Sequence, residues 1–570
     1  MTRAEMAQLG WDALDILLVS GDAYVDHPSF GAALLGRWLA SHGFRVGIIA
    51  QPRWDSPADV ARLGRPRLFA GVTAGALDSM LAHYTAFRKK RHDDAYTPGG
   101  RHGARPNRAC IVYTGLLRQA FPGLPVVIGG IEASLRRITH YDFWSDKLRR
   151  SILLDSKADL LVYGMGERAV ADIATRLREN PGSLEILRGI PGTGFVVRSG
   201  AYVPPEGAEV EVLPAHEAIA QDARLLMDAT LALERQAHSG DTWATQRCGD
   251  REIVLTPPAA PLSTPELDAL YALPFTRRPH PQYQEPIPAA QMIQFSITSH
   301  RGCGGGCAFC SLALHQGRRV ASRSEASIEA EARMMTRHPD WRGSITDIGG
   351  PTANMWGARC MRGANEPCRR PSCLTPKPCP HFRSNQTALA RLLRRVQAVP
   401  GVAHVRVASG IRHDLALRDE PYLAALLERY VGGQLKVAPE HCCDAVLRGM
   451  RKPDFAAFEK FLTVFERISR RSGREQYVIP YLMSAFPGCT DKDMRALADW
   501  LRQRGWKPRQ VQCFIPTPGT VATAMFYAGI DPQGKHIPVA RTDAERLRQH
   551  RMILPCEDAP RRAHEKRPGT

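Results

Sequence analysis

The chain is expected to be an α/β protein in two parts: an N-terminal doubly wound parallel sheet, followed by a partial (β/α)6 barrel. Three observations predict this. Short apolar runs alternate with amphipathic helical patterns from residue 10 to about 185, a proline-rich stretch then breaks the pattern, and a second alternating series of six units starts near 292. Near-continuous apolar strands between helices indicate a parallel sheet covered on both faces, and 570 residues exceed what one core usually organises. The boundaries read as 1–185 for the N-terminal α/β domain, 186–290 for a helix and connector, 291–530 for the barrel and 531–570 for a basic tail.

In the first part, "DILLVSGD" (15–22), "FRVGIIAQ" (44–51), "RLFAGVTAG" (67–75), "ACIVYTG" (109–115), "LPVVIGGIE" (124–132) and "ADLLVYGMGE" (158–167) read as strands. Glycines 129, 130, 164 and 166 stand at strand C-termini, where ligands of such sheets lie. A helix is expected over 215–236, and nine prolines between 257 and 288 mark an extended connector. In the second part the strands are 292–299, 344–350, 404–410, 434–440, 476–488 and 510–519, with helical patterns such as 325–337 and 385–397 between them. Functional residues of a parallel barrel gather at strand C-termini.

Composition narrows the class. Hydrophobic content of 44% with 23% charged residues describes a globular chain, and no apolar run is long enough to span a bilayer. The opening "MTRAEMAQLGWDALD" has no signal-peptide pattern, so a cytoplasmic location and no membrane partner are expected. Seven of the fourteen cysteines fall between 303 and 379, which points to metal and not to disulfides. The formal charge of +19 favours an anionic partner such as nucleic acid, although scattered arginines give the same number.

The chemistry concentrates in "SHRGCGGGCAFCSLALHQGR" (299–318), where Cys303, Cys307 and Cys310 form a C-x3-C-x2-C loop among four glycines. A cubane iron–sulfur cluster takes four ligands, so three cysteines leave one iron for something else. Zinc completed by His300 or His315 is the competing reading. The pattern, with Phe309 before the last cysteine, resembles the radical S-adenosylmethionine (SAM) superfamily. That resemblance implies a 4Fe–4S cluster whose open iron chelates SAM. One-electron cleavage then yields a 5′-deoxyadenosyl radical, fed by a reductant such as flavodoxin or ferredoxin. It also implies that Gly349 and Gly350 of "DIGGPTAN" meet the SAM amino group. Ser409 and Arg412 of "VASGIRHD", with Lys436, Glu440 and His441 of "LKVAPEH", occupy the next strand ends, placed for the SAM ribose and carboxylate or for substrate.

A second group, Cys360, Cys368, Cys373 and Cys379 with His381, lies in an insertion over 360–382 stiffened by prolines. Four thiols saturate either zinc or an auxiliary iron–sulfur cluster. Arg369 and Arg370 within it are placed to meet an anion.

"GDAYVDHPSFG" (21–31), "IGGIEASLRR" (128–137), residues 140–161, "GGPTANM" (349–355), "LKVAPEH" and "IPTPGT" together resemble the YgiQ-type radical SAM proteins. This implies an N-terminal domain similar to cobalamin-binding domains ahead of a radical SAM barrel. The loop that ligates cobalt from below reads Asp-x-His-x-x-Gly, whereas here Asp26 and His27 are adjacent and Gly31 lies further on, so cobalamin itself stays open. Two functions are weighed: a radical SAM enzyme, with RNA or nucleotide modification as the leading substrate class, and a non-catalytic zinc or iron–sulfur RNA-binding protein.

Overall fold

The structure is a computed structural model that describes residues 1–362, 368–508 and 511–554. Its first half is built on one nine-stranded sheet. The strands are β1 Ile16–Ser20, β2 Val46–Ala50, β3 Phe69–Thr73, β4 Val126–Gly129, β5 Leu160–Val162, β6 Thr193–Arg198, β7 Val210–Leu213, β8 Trp243–Cys248 and β9 Arg251–Leu255. Their order is β2-β1-β3-β4-β5-β6-β9-β8-β7. The first five pair in parallel, and β1, buried at every residue, pairs with both β2 and β3. The chain therefore turns both ways from β1, which opens a crevice at the carboxyl ends of β1 and β3.

Three segments differ from the sequence reading. Residues 109–115 open a helix, Ala109–Ala120, whose buried positions Ala109, Cys110, Tyr113, Thr114, Leu116 and Leu117 follow a helical repeat. A short apolar run does not declare its own period. Residues 186–290 are more than helix and connector: β6 to β9 extend the first sheet by antiparallel pairing through β5–β6, β6–β9 and β9–β8. Residues 531–554 are folded where a basic tail was expected. Helix Asp543–Arg551 begins with a Thr542/Glu545 capping box and buries Arg546 and Gln549. Its polar composition hid an anchoring face made of polar side chains. The remaining residues of that tail, 555–570, lie outside the described residues.

The second half carries β10 Ser296–Thr298, β11 Ser344–Ile345, β12 Asp347–Gly349, β13 His404–Val405, β14 Gln434–Glu440, β15 Tyr477–Ser484 and β16 Val511–Cys513. Pairing is parallel and sequential: β10 with β12, β11 with β13, an Ile411–Val437 bridge, then β14 with β15 and β15 with β16. Ile297, Ile348, Val405 and Val437 turn into a core shared with helices Glu325–Thr336, Gln386–Gln397 and Phe455–Ser472. Strand alternation therefore leaves Thr298, Asp347, Arg406 and Lys436 on the opposite side. No helix among the described residues is long and apolar enough to cross a membrane.

Candidate metal centre

The three-cysteine loop leaves β10 through the pairing of His300–Arg301 with Ala321–Ser322. Its ends are held by Cys303 N–H donating to Gly317 O (3.1 Å) and by Cys310 N–H donating to Cys307 O (3.1 Å). Gly305 shows how the sulfurs gather. A Cβ there would stand 3.4 Å from Cys303 Sγ, 3.8 Å from Cys307 Sγ and 2.9 Å from Arg412 Nη1. Two sulfurs and one guanidinium thus face the same peptide, and the Gly305 N–H bonds the Cys303 thiol. Burial raises the Cys303 thiol and pushes Cys310 up to about 12, with neighbouring Cys307 adding to both. Cys303 and Cys310 resist ionising unless cationic charge joins them, which is what a cluster of iron provides.

Protein cations are already there. Arg412 is 8% exposed and makes a two-pronged ion pair with Asp414 (Nε–Oδ1 and Nη2–Oδ2, both 2.9 Å). Burial opposes the charge of both partners, yet the pairing raises Arg412 and holds Asp414 well below the usual carboxylate range. Lys452 lies within electrostatic reach of Cys310 and bonds Glu440 Oε1 at 3.4 Å. Glu440 holds a left-handed φ of 70°, uncommon outside glycine, and its carboxyl is raised by burial against the pull of Lys452 and Arg412. Arg412 and Glu440 thus stand beside the three-cysteine loop. Lys452, which no motif announced, and Asp414, the unremarked last residue of "VASGIRHD", complete that charged surround.

The glycines of β12 are demanded by close packing. A Cβ on Gly349 would meet Ser409 Oγ at 2.9 Å, and one on Gly350 would meet the His300 ring at 2.7 Å. Ser409 is held by Asp347, which also accepts Ala408 N–H (2.8 Å) and Ser409 N–H (3.1 Å). Asn354 locks the next strand end by exchanging hydrogen bonds with the Arg412 backbone at 2.9 and 3.0 Å. The Lys436 side chain is exposed, and its carbonyl accepts the Ile411 N–H (3.2 Å) next to Arg412. His300 and His315, the alternative zinc ligands, are both kept neutral by burial with pKa near 4. They bond Ser299 and Ser134 respectively, through Nδ1 at 2.9 and 3.0 Å.

The second cysteine group docks onto the first. Cys373 N–H donates to Gly304 O (2.9 Å) and Ser372 Oγ to Gly305 O (2.6 Å), while a side chain on Gly306 (φ +61°) would strike the Pro371 carbonyl. Cys379 N–H donates to Cys373 O (2.8 Å), and Cys360 sits in a short ladder opposite Phe382. Burial pushes Cys373 up to about 11, with Cys368, Cys379 and Cys360, all within electrostatic reach, adding to it. Zinc bonds of 2.3 Å would draw sulfurs to within about 4 Å of one another. Among the described residues, three ligand atoms within 4.8 Å of each other occur at His441, Cys442 and Cys443 and in neither of these two groups.

A cavity of about 530 Å³ joins the halves. Asp22, Thr73, Gly129, Gly130 and Gly164 line it at strand ends of the first sheet; Thr298, His300, Asp347, Gly349 and Ser409 line it from the second. His27 does not reach it as a free ligand: Nδ1 accepts Ser29 N–H (3.1 Å) and Nε2 lies 2.9 Å from Arg277 Nη1.

A two-way-wound sheet facing a β/α series with three cysteines after its first strand defines a radical SAM protein. The comparisons agree. The family model "Radical SAM N-terminal" matches residues 1–296. A UPF0313 protein of Geobacter sulfurreducens is 52% identical over 97% of this chain and 91% of its own, and one of Thermotoga neapolitana is 47% identical over 97% and 98%. The chain belongs to the UPF0313 family, the YgiQ-type radical SAM proteins. Among solved structures it resembles TsrM, a radical SAM methyltransferase of Kitasatospora setae, solved with cobalamin and a [4Fe-4S] cluster bound. The TM-score is 0.53 at 16% identity, covering 96% of this chain and 86% of that one. At that identity the likeness concerns fold.

Proposed function

We propose that the protein is a radical SAM enzyme whose 4Fe–4S cluster is held by Cys303, Cys307 and Cys310, in a partial (β/α)6 barrel. The observation that carries this is the convergence of Cys303, Cys307 and Arg412 on the Gly305 peptide, beside the Gly349–Gly350 strand end. Cluster and SAM together supply one-electron cleavage of the sulfonium to a 5′-deoxyadenosyl radical. The chain's part is positional. Gly305 N–H and the Arg412 and Lys452 cations stabilise negative charge on the sulfurs, and the Asp414 pair keeps the guanidinium in place. Gly349 and Gly350 let their strand end pack closely against Ser409 and His300 at the cavity wall.

The cavity at the carboxyl ends of the first sheet is proposed as the site of the group acted on or of a second cofactor, in keeping with the cobalamin of TsrM. Any cobalamin held there lacks a histidine from the His27 loop. The auxiliary cysteines are proposed to hold a second iron–sulfur cluster or zinc, and a flavodoxin or ferredoxin to supply electrons. RNA or a nucleotide is the proposed substrate class, supported by the +19 charge and by exposed Arg369; Arg370 bonds the insertion's own backbone at Ser372 O (3.2 Å). No observation favours the non-catalytic RNA-binding reading.

Anaerobic reconstitution with iron and sulfide, then dithionite and SAM, tests the central claim. The protein should release 5′-deoxyadenosine, and Cys307→Ala should abolish release and lower bound iron. Iron-loaded wild type that leaves SAM intact would overturn it. Comparing modified nucleosides in cells with and without the protein tests the substrate class.

A further inference from the structure

Behind the three-cysteine loop, the ends of β14 and β15 bring together side chains that the radical SAM reading leaves unused. A ring nitrogen of His441 and the sulfurs of Cys442 and Cys443 lie within 4.8 Å of one another. Cys442 Sγ and Cys443 Sγ are 4.0 Å apart, and Cys489 Sγ, from the turn after β15, lies 3.5 Å from His441 Nε2. His441 is 0% exposed and Cys489 2%, whereas Cys442 and Cys443 are half-buried. We propose that His441, Cys442 and Cys443 form a binding site for one thiophilic cation of the zinc class, separate from both cysteine groups described above, with Cys489 orienting the ring from Nε2.

The spacing is the main support. A tetrahedron with metal–sulfur bonds near 2.3 Å and a metal–nitrogen bond near 2.0 Å sets its ligand atoms about 3.5 to 4 Å apart; here the two sulfurs are 4.0 Å apart and the three ligand atoms lie within 4.8 Å of one another. Chance neighbours seldom supply two soft donors and an imidazole at one strand end with a further thiol, from the next strand end, on the ring's far nitrogen. The ring is prepared for the role. Nδ1 accepts the Cys443 N–H at 3.0 Å, so the ring proton lies on Nε2, directed at the Cys489 sulfur. A cation on Nδ1 displaces the amide contact and keeps Nε2–H on Cys489, the kind of outer bond that orients metal-bound histidines. Cys443 Sγ also lies 3.7 Å from Asp493 O, which fixes that thiol against helix Asp491–Gln503.

The placement gives the site a structural consequence. Cys443 caps helix Asp444–Met450, and Met450 O accepts the N–H of Ala308 (3.0 Å) between Cys307 and Cys310. A bound cation would therefore clamp the rear support of the three-cysteine loop. No group is oxidised or reduced; each ligating thiol releases a proton on binding.

The test uses full-length protein purified anaerobically, loaded with Zn2+ and desalted, with zinc counted by mass spectrometry. Cys442→Ser and Cys443→Ser should each carry about one zinc fewer than wild type. A variant with all four auxiliary cysteines changed to serine should keep this zinc. Because a core thiol change can unfold the chain, a second measurement needs no variant: alkylation of wild type with iodoacetamide, read by peptide. Cys442 and Cys443 should react at least tenfold more slowly with Zn2+ than after chelation. Equal zinc in folded variants, equal alkylation rates, or recovery of Cys442–Cys443 as a metal-free disulfide would overturn the proposal. None of these readouts depends on SAM cleavage, so failure here leaves the radical SAM reading standing, and the reverse.

Discussion

Asp22 shows what a single buried carboxylate does at the cavity wall. Burial pushes its pKa up to about 6, against the opposing pull of Arg105. The folded chain keeps this proton where the unfolded chain, near 3.9, has released it, so stability falls as pH rises from about 4 to about 6 and is level above. Asp22→Asn should remove that slope. Apart from a constant offset for the lost Arg105 pairing, its urea-unfolding free energy should gain on wild type by up to about 3 kcal/mol between pH 4 and 7. Parallel profiles would contradict the assignment. Arg412 acts in the opposite sense. Arg412→Gln strands the Asp414 carboxylate, and removing one partner of a buried pair costs about 3–5 kcal/mol. Iron retention should fall with it, read against a refolded, iron-free control. Cys303, Cys307 and Cys310 were legible because ligand spacing is local in the chain. Lys452 was not, because a charge that compensates a cluster comes from wherever the fold brings it; Asp414 stood in a quoted motif, but nothing there marked it as the partner of Arg412.

Among elements, the insertion and the three-cysteine loop are the pair whose geometry is most exacting. Gly306→Ala places a side chain at φ +61° and against the Pro371 carbonyl. Left-handed strain alone is worth about 1–3 kcal/mol, and the collision adds to it. The expected outcome is a folded protein whose auxiliary thiols alkylate much faster, while Gly115→Ala, helical and open around its Cβ position, leaves them protected. The glycines in the loop are thus shaped as much by this docking as by any need to curl around metal, which spacing could not reveal. Strand existence was readable from apolar runs in the first five strands and in the second series. Strands β6 to β9 were missed because half-exposed strands such as β7, at the sheet edge, alternate weakly and sit between helices and prolines.

At the scale of the whole molecule, the halves are joined by buried charge. Arg277, from the proline-rich stretch, reaches Glu331 on helix Glu325–Thr336, the Gln294 and Ser296 carbonyls (2.8 and 3.1 Å) and His27 of the first half. Arg323 meets the same Glu331 carboxylate, and Arg301 pairs with Glu167 across the junction at 2.5 Å. Glu331→Gln leaves two buried guanidiniums without their anion. Thermal unfolding, expected to be a single cooperative transition in wild type, should split into two in the variant; a single transition at the wild-type temperature would show that the halves are held otherwise. The connector was visible as prolines, but its role as a three-way tie depends on one arginine whose partners lie up to 250 residues away.

The backbone stitches between Gly304, Gly305, Ser372 and Cys373 carry one last implication. Two cysteine groups sewn together this way are unlikely partners for independent maturation: seating one shapes the mould for the other. Iron titrated into the empty chain should then be taken up with positive cooperativity, few half-filled molecules accumulating at intermediate ratios.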